Sequence, residues 1–362
     1  MASLTISYEN TRSIPETGIT LDSNNALLRL TQQLPQNAAA ILLTDEIVWK
    51  HYEPEWREIR QRFSDVVIIP SGESSKNISI IGSVAERCAS AHLDRDSILV
   101  AFGGGVVTDI GGFIASIFLR GINWIAIPTT IIGAVDAAIG GKTGINLPNG
   151  KNLVGTFYPA QSVIVDNSFF ASLPNRELIS GWGEIVKYGL LIGGILWNRL
   201  HEIQPDSIPG MEILEPCIRK KVELVEKDLY DHGERRLLNL GHTAGHALEA
   251  ATSFDAFRHG EAILWGLGVS AELSHRLNLL PDNDYKDIEQ ILRKFDVPKA
   301  SVSLDSIFSY LSTDKKRGHG MNRWIILNAI GSAEVVENIP SELIRTVLEN
   351  RTSFLQTGKV VE

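Results

Sequence analysis

Cysteine is scarce in this chain. Only Cys88 and Cys217 occur in 362 residues, too far apart for a disulfide framework, and the count suits a reducing compartment. No apolar run reaches the roughly 18 residues that a membrane-spanning helix needs. Long basic runs are missing too, and the net charge is −9. That balance leaves no electrostatic footprint for nucleic acid or for an anionic membrane. Met1 to Glu9 lacks a basic region followed by an apolar core, so no secretory leader is expected and the cytoplasm is the default location. There is no internal repeat and no low-complexity segment.

What is present is a globular balance, 44% hydrophobic and 21% charged, in a length that suits roughly two domains. A chain this acidic must concentrate its lysines and arginines locally if it is to bind phosphates, so clustered basic residues are worth following.

The first half alternates short apolar runs with helical patterns. Ala38 to Thr44, Val66 to Pro70, Ser97 to Phe102, Trp124 to Pro128 and Ser162 to Val165 read as buried strands, and Ile78 to His92 as a helix between them. Continuous apolar strands separated by helices predict an α/β parallel sheet covered on both faces, with ligands at the carboxyl ends of its strands. After about Pro174 helical periodicity takes over, at Glu177–Leu191, Met211–Lys227, Gly241–Thr252, Glu261–Leu277 and Asn283–Phe295. Asp296 to Val302 reads as a linker and Arg323 to Leu327 as part of a hairpin. The expected organisation is a Rossmann-like domain over 1–174 and a mostly helical domain over 175–362.

Three features carry chemistry. Gly103-Gly104-Gly105-Val106-Val107-Thr108-Asp109 directly follows a strand and opens a helix. Glycines there permit close backbone approach to a diphosphate, and the helix offers its first N–H groups. The pattern departs from G-x-G-x-x-G, so a merely tight turn stays open beside a phosphate loop. Thr129 and Thr130, after another strand, read more simply as helix caps. The segment from Asp136 through Lys142, Lys151 and Asn152 reads as a long, mobile, cationic loop, and lysines that follow glycines there favour anion binding over a solvated surface.

The third feature is a metal constellation. His242 and His246 stand four apart at the start of a helix, on one face, a spacing that suits zinc. Thr243 follows His242, so the H-E-x-x-H protease pattern is absent. His259-Gly260-Glu261 starts the next helix. Glu184, in a glycine-flanked helical stretch, is the anionic ligand candidate, with Lys187 three residues on. Taken alone, Glu184 and Lys187 would be a surface ion pair.

Together the blocks SGESSK, GGGVVTDIGGF, LRG, IPTT, VDAAIGGKTGINLPNGKNLVGTFY, SLPNRELISGWGEIVKYGL, RRLLNLGHTAGHALEA and HGEA closely resemble the 3-dehydroquinate synthase family of sugar phosphate cyclases. The resemblance runs from about Asp45 to Asp314-Lys315-Lys316. It implies an enzyme that turns 3-deoxy-arabino-heptulosonate 7-phosphate into 3-dehydroquinate, with NAD used catalytically and with zinc or cobalt. It also implies a homodimer. The metal would be held by Glu184, His242 and His259, which moves His246 to the substrate side. NAD would contact Asp45, Glu73, Lys76, Gly105, Val106, Asp109, Thr129, Thr130, Asp136, Lys142, Lys151, Ser172, Leu173 and Glu177. Substrate would contact Asp136, Lys142, Asn152, Lys187, Lys221, Arg235, Asn239 and His246 beside the metal ligands, with Lys315 or Lys316 contributing. Lys142, Lys187, Lys221, Arg235, Asn239 and His246 would be the catalytic set. Arg120 would reach the phosphate, in a homodimer that of the neighbouring subunit's substrate.

The chain departs from the family at Thr108, at Leu229-Tyr230 and at Trp182, none of them a proposed ligand. Sister cyclases act on sedoheptulose 7-phosphate or glucose 6-phosphate; Lys142, Arg235, Asn239 and His246 favour the carboxylate-bearing substrate. Metal-dependent polyol dehydrogenases would not need Lys142, Lys151, Lys187, Lys221 and Arg235 together. A non-catalytic cofactor-binding protein would not keep every cationic and metal position filled.

Overall fold

A computed structural model describes residues 16–35, 38–317 and 323–357, without the side chains of 312–317, 354, 356 and 357. The described residues form two compact units. One holds those of Met1–Thr20, Asn25–Pro128 and Gly141–Val165, the other those of Leu21–Asn24, Thr129–Gly140 and Asp166–Glu362.

The first unit is built on β1 (Gly18–Asp22), β2 (Ala40–Asp45), β3 (Asp65–Ile69), β4 (Ile98–Gly103), β5 (Asn123–Pro128) and β8 (Ser162–Asp166), a six-stranded sheet in the order β1-β8-β5-β4-β2-β3. The pairs β2–β3, β2–β4, β4–β5 and β5–β8 are all parallel, as continuous apolar runs require when both faces are covered. The chain steps outward from β2 to β3 and then returns to the other side of β2 for β4. This reversal places the carboxyl ends of β2 and β4 at a topological switch point, where open α/β sheets bind ligands.

Helix α1 (Ala26–Gln33) precedes β2, α2 (Glu46–Trp56) follows it, and α3 (Ile78–Ser90) and α4 (Gly105–Ile117) flank β4. Glycine lets α4 pack unusually close: a Cβ on Gly111 would stand 2.7 Å from the Ala101 Cβ, and one on Gly112 would stand 2.4 Å from Thr143 Cγ2.

The segment read as a loop is ordered instead. It forms the antiparallel pair β6 (Lys142–Leu147) and β7 (Gly150–Phe157), with Leu147 facing Gly150 across a two-residue turn. Pro148, Asn149 and Gly150 are hairpin-turn residues. The glycine and lysine content had masked the alternation at Thr143, Ile145 and Val154.

The second unit is mostly helical, as expected. It contains α5 (Asn175–Ile192), α6 (Gly194–Leu200), α7 (Met211–Lys227), α8 (His242–Ala251), α9 (His259–Arg276), α10 (Asp282–Leu292), α11 (Leu304–Arg317) and α12 (Ser341–Thr357). The hairpin expected near Arg323 is β9 (Arg323–Ala329) with β10 (Ser332–Glu337). Leu248, Trp265, Trp324, Ile344 and Leu348 share one apolar core. Arg351 pins α12 to it, with Nε 2.8 Å from Glu272 and Nη2 2.5 Å from Glu289. Among the described residues no helix is long and apolar enough to cross a membrane.

Helices α5 and α9 touch backbone to backbone. A Cβ on Gly260 would lie 1.7 Å from the Ser180 carbonyl oxygen, and one on Gly183 would lie 2.2 Å from that of Gly260. Neither obstacle is a flexible side chain. Gly260→Ala should therefore destabilise the protein by about 3 kcal/mol or more. Gly82→Ala, on the exposed side of α3 with nothing within 4 Å of the new methyl, should stabilise it by about 0.5–1 kcal/mol. Chemical denaturation of the two variants checks both signs.

Candidate functional site

In the second unit, the α5–α9 contact brings Glu184 of α5 beside His259, the first residue of α9. Glu184 and Lys187 are completely buried and ion-paired; the plain reading of a surface pair is therefore wrong, because α5 is a core helix with every residue from Leu178 to Leu191 buried. His259 Nε2 lies 3.4 Å and His242 Nε2 3.6 Å from Glu184 Oε1. Neither Glu184 oxygen has a hydrogen bond of proper geometry. Both histidines are anchored through the other ring nitrogen: His242 Nδ1 is 3.1 Å from the Leu240 carbonyl oxygen, and His259 Nδ1 is 3.2 Å from Glu249 Oε2. When each ring carries a single proton, on Nδ1, both Nε2 atoms are available as ligands beside Oε1.

An anionic oxygen and two imidazole nitrogens that converge in a buried place, with no hydrogen bonds to occupy them, suit a borderline divalent cation such as zinc or cobalt. His246 lies close by. Its ring is 5.2 Å from that of His242, and the ligating atoms of His242, His246 and His259 lie within 4.8 Å of one another. Two triads are thus geometrically open, one all-histidine and one with Glu184.

Electrostatics separate the roles. Burial alone would raise the Glu184 pKa, but Lys187 and the two histidines hold it well below the usual carboxylate range. Burial, reinforced by the Lys187 charge, depresses His242 and keeps it neutral. Burial also opposes charge on His259, yet its contacts with Glu184 and Glu249 raise it to about 10 without a metal. Lys187 is raised, because Glu184 and Asp136 outweigh its burial.

Asp136 sits on a π-helical turn, Gly133–Ala137, and is ion-paired with Lys221 of α7. Burial works against its charge, but Lys221 and Lys187 bring it to about 2. Lys221 is itself lowered: burial dominates, Lys187 adds to it and Asp136 offsets only part. The turn is held from within its own unit. The buried Tyr188 hydroxyl donates to the Val135 carbonyl at 2.9 Å, and Arg235 donates to the Gly140 carbonyl at 3.0 Å and to that of Leu229 at 2.5 Å. Asn239 ends the 3₁₀ turn Glu234–Asn239 just before α8. Thr129 is buried, and Thr130 caps the next turn by accepting from Gly133 N at 3.0 Å, so the capping reading holds for it. Ser172 and Leu173 precede α5, and Glu177 in its first turn pairs with Arg258 at 3.1 Å. The side chains of Lys315 and Lys316 lie outside the described residues.

In the first unit, Asp45 ends β2 and caps α2, accepting from Ile47 N at 2.9 Å and from the Ser71 hydroxyl at 2.6 Å. Lys76 is ion-paired with Asp109 of α4 and donates to Asn152 Oδ1 at 2.5 Å. Glu73 accepts from Asn146 Nδ2 at 2.6 Å. Gly105 and Val106 open α4 directly after β4. Asp45, Glu73, Lys76, Gly105 and Asp109 thus gather at the carboxyl ends of β2, β3 and β4. Lys142 starts β6, and Lys151 and Asn152 lie on β7. Exposed Arg120 follows Leu119 with left-handed φ values of 66° and 48°.

The sequence reading missed Tyr188 and Glu249. Tyr188 directly follows Lys187, and a phenol there had no visible partner. Glu249, three residues after His246, looked like an ordinary residue late in a helix.

Residues 66–180 match the family described as 3-dehydroquinate synthase N-terminal, and residues 181–317 match its C-terminal counterpart. A 3-dehydroquinate synthase of Natranaerobius thermophilus is 38% identical over 342 residues, 90% of this chain and 93% of its own. The structure of 2-epi-5-epi-valiolone synthase from Streptomyces hygroscopicus subsp. jinggangensis, with NAD+ and Zn2+ bound, superposes with a TM-score of 0.86 at 25% identity, covering 97% of this chain and 99% of that one. A 2-deoxy-scyllo-inosose synthase complexed with carbaglucose-6-phosphate, NAD+ and Co2+ gives 0.82 at 28%, covering 91% and 95%.

The buried Lys187 ammonium leaves Glu184 compensated when no metal is bound. In chelator-treated protein Lys187→Met should cost about 3–5 kcal/mol, since it strands a buried carboxylate. The double change Glu184→Gln/Lys187→Met should recover most of that loss. Urea denaturation of both proteins in the presence of chelator measures the difference.

Proposed function

The chain belongs to the 3-dehydroquinate synthase family, and from that membership we propose that it converts 3-deoxy-arabino-heptulosonate 7-phosphate to 3-dehydroquinate and phosphate. It is an NAD- and metal-dependent lyase of the shikimate pathway. The observation that carries this reading is the pairing, within the second unit, of a metal-competent triad with the buried cations Lys187 and Lys221. A polyol dehydrogenase on the same fold would need the triad and not the lysines.

In this reading 1–174 binds NAD and 175–362 binds metal and substrate. Glu184, His242 and His259 are the metal ligands, and His246 faces substrate. The choice over three histidines rests on Glu184: a buried carboxylate whose Oε1 faces two anchored Nε2 atoms neutralises part of a dication, as a third imidazole would not. Bound at these residues, zinc or cobalt would supply Lewis-acid polarisation of a substrate hydroxyl, and NAD would supply a reversible hydride acceptor.

The chain's own residues bind and orient. Within the second unit Lys187, Lys221 and Arg235 supply positive charge and hydrogen bonds for a substrate that carries a carboxylate and a phosphate. Asp136 offsets part of the burial that opposes charge on Lys221, and Tyr188 and Arg235 keep the Asp136 turn in place. Asn239 and His246 add polar contacts that hold one conformer for elimination and ring closure. In the first unit, Asp45, Glu73, Lys76, Gly105, Val106 and Asp109 form the dinucleotide cradle.

We place the enzyme in the cytoplasm as a homodimer, with Arg120 reaching the phosphate of the neighbouring subunit's substrate. Consecutive left-handed residues at Leu119 and Arg120 are costly for non-glycine side chains, and such strain is a common mark of function.

Incubation with 3-deoxy-arabino-heptulosonate 7-phosphate, NAD and zinc or cobalt should release phosphate and form dehydroquinate with no net NADH, and EDTA should abolish both. Turnover of sedoheptulose 7-phosphate or glucose 6-phosphate instead would make it a sister cyclase, and net NADH from a simple polyol would make it a dehydrogenase. For the shared site, Arg120→Ala and Glu184→Gln proteins, each inactive alone, should regain activity when co-expressed as mixed dimers. No recovery would place Arg120 in its own subunit's site, and an Arg120→Ala protein active on its own would place it outside any site.

A further inference from the structure

The two histidines of the metal triad are anchored differently. His242 Nδ1 meets a neutral acceptor, the Leu240 carbonyl, whereas His259 Nδ1 meets a carboxylate, Glu249 Oε2, at 3.2 Å. We infer that Glu249 is a positioning residue of the metal centre, acting through His259. It holds the proton on Nδ1, turns the ring so that Nε2 faces Glu184 Oε1, and lends negative charge to that nitrogen.

Several observations carry this. Glu249 is 3% exposed, and a buried carboxylate needs a specific partner. It is also firmly placed. It lies in the last turns of α8, where its backbone oxygen accepts from Phe254 N at 2.7 Å and from the Thr252 hydroxyl at 3.1 Å. His259, by contrast, is half-buried at the first position of α9, with its side chain 31% exposed. His242 is enclosed by its surroundings; His259 is the ligand whose ring orientation depends on an anchor. An imidazole that donates Nδ1–H to a carboxylate is the stronger Nε2 ligand, and loss of such an outer partner typically weakens metal affinity by about 10–100-fold.

The inference rests on the Glu184–His242–His259 reading of the metal site, and the test separates the two. Full-length protein is stripped with chelator. Zn2+ affinity is then measured by competition with a chromophoric chelator, and Co2+ loading is followed by its visible absorption. Glu249→Gln, which keeps an acceptor oxygen and removes the charge, should weaken Zn2+ binding about 10-fold. Glu249→Ala should weaken it further and shift the Co2+ bands. If both variants bind Zn2+ as the wild type does, with unchanged Co2+ bands, Glu249 has no such role. If only metal-free stability falls, Glu249 is a packing residue of α8 and the inference is equally overturned. Failure of the underlying reading looks different: Glu184→Gln would then bind Zn2+ as tightly as the wild type.

Discussion

A carboxylate with no exposed surface is the constraint around which the second unit is arranged. Glu184 sits on a core helix, and an isolated ionised group there would cost many kcal/mol. The surroundings respond on two sides. Lys187, one turn along the same helix, supplies charge to Oε2. On the other side two imidazole nitrogens face Oε1 without completing hydrogen bonds to it. The first side makes the ionised form tolerable in the metal-free fold. The second leaves binding capacity unspent. Because the two oxygens have separate partners, a cation at the histidines does not have to displace Lys187.

The same constraint explains the glycines. Glu184 can stand beside His259 only if α5 and α9 approach until backbone meets backbone, and Gly183 and Gly260 are where that happens. The positions flanking the two proposed ligands are thus the ones that can carry no side chain. Asp136 and Lys221 extend the pattern: Lys187 lies electrostatically between Glu184 and Asp136, and Asp136 between Lys187 and Lys221. Alternating charges let a buried polar region persist, since each group is costly only without its neighbours.

Much of this was legible in the sequence, and the gaps have physical causes. Buried parallel strands announce themselves as apolar runs, so β2, β3, β4, β5 and β8 could be read directly. Long amphipathic helices were equally clear. The β6–β7 hairpin was not, because a strand pair rich in glycine, lysine and asparagine has weak alternation and reads as a loop. Glu184 and Lys187 misled in another way. At i, i+3 spacing a charged pair looks like solvent-facing decoration, and nothing local shows that the helix carrying it is enclosed on all sides. Glu249 was invisible for the same reason, since its partner comes from the next helix. The blocks that resemble the dehydroquinate synthases supplied the proposed metal ligands, where spacing alone would have pointed to His242 and His246.

In the first unit, residues distant in sequence are joined by side chains as well as by the sheet. Lys76 reaches both Asp109 on α4 and Asn152 on β7. Asn146 of β6 donates from its backbone to the Lys76 carbonyl at 2.8 Å and from its side chain to Glu73. The turn that carries Glu73 and Lys76 is therefore clamped to the hairpin by main chain and side chain together. Asn152, at a left-handed φ of 55°, is held there from both ends: its backbone N–H donates to Asn146 at 2.8 Å and its side chain accepts from Lys76. A backbone conformation of that kind persists only where its surroundings over-determine it. The clamp does so here, and it fixes a polar side chain on an otherwise pliable strand beside the end of the sheet where an open α/β fold binds its ligand.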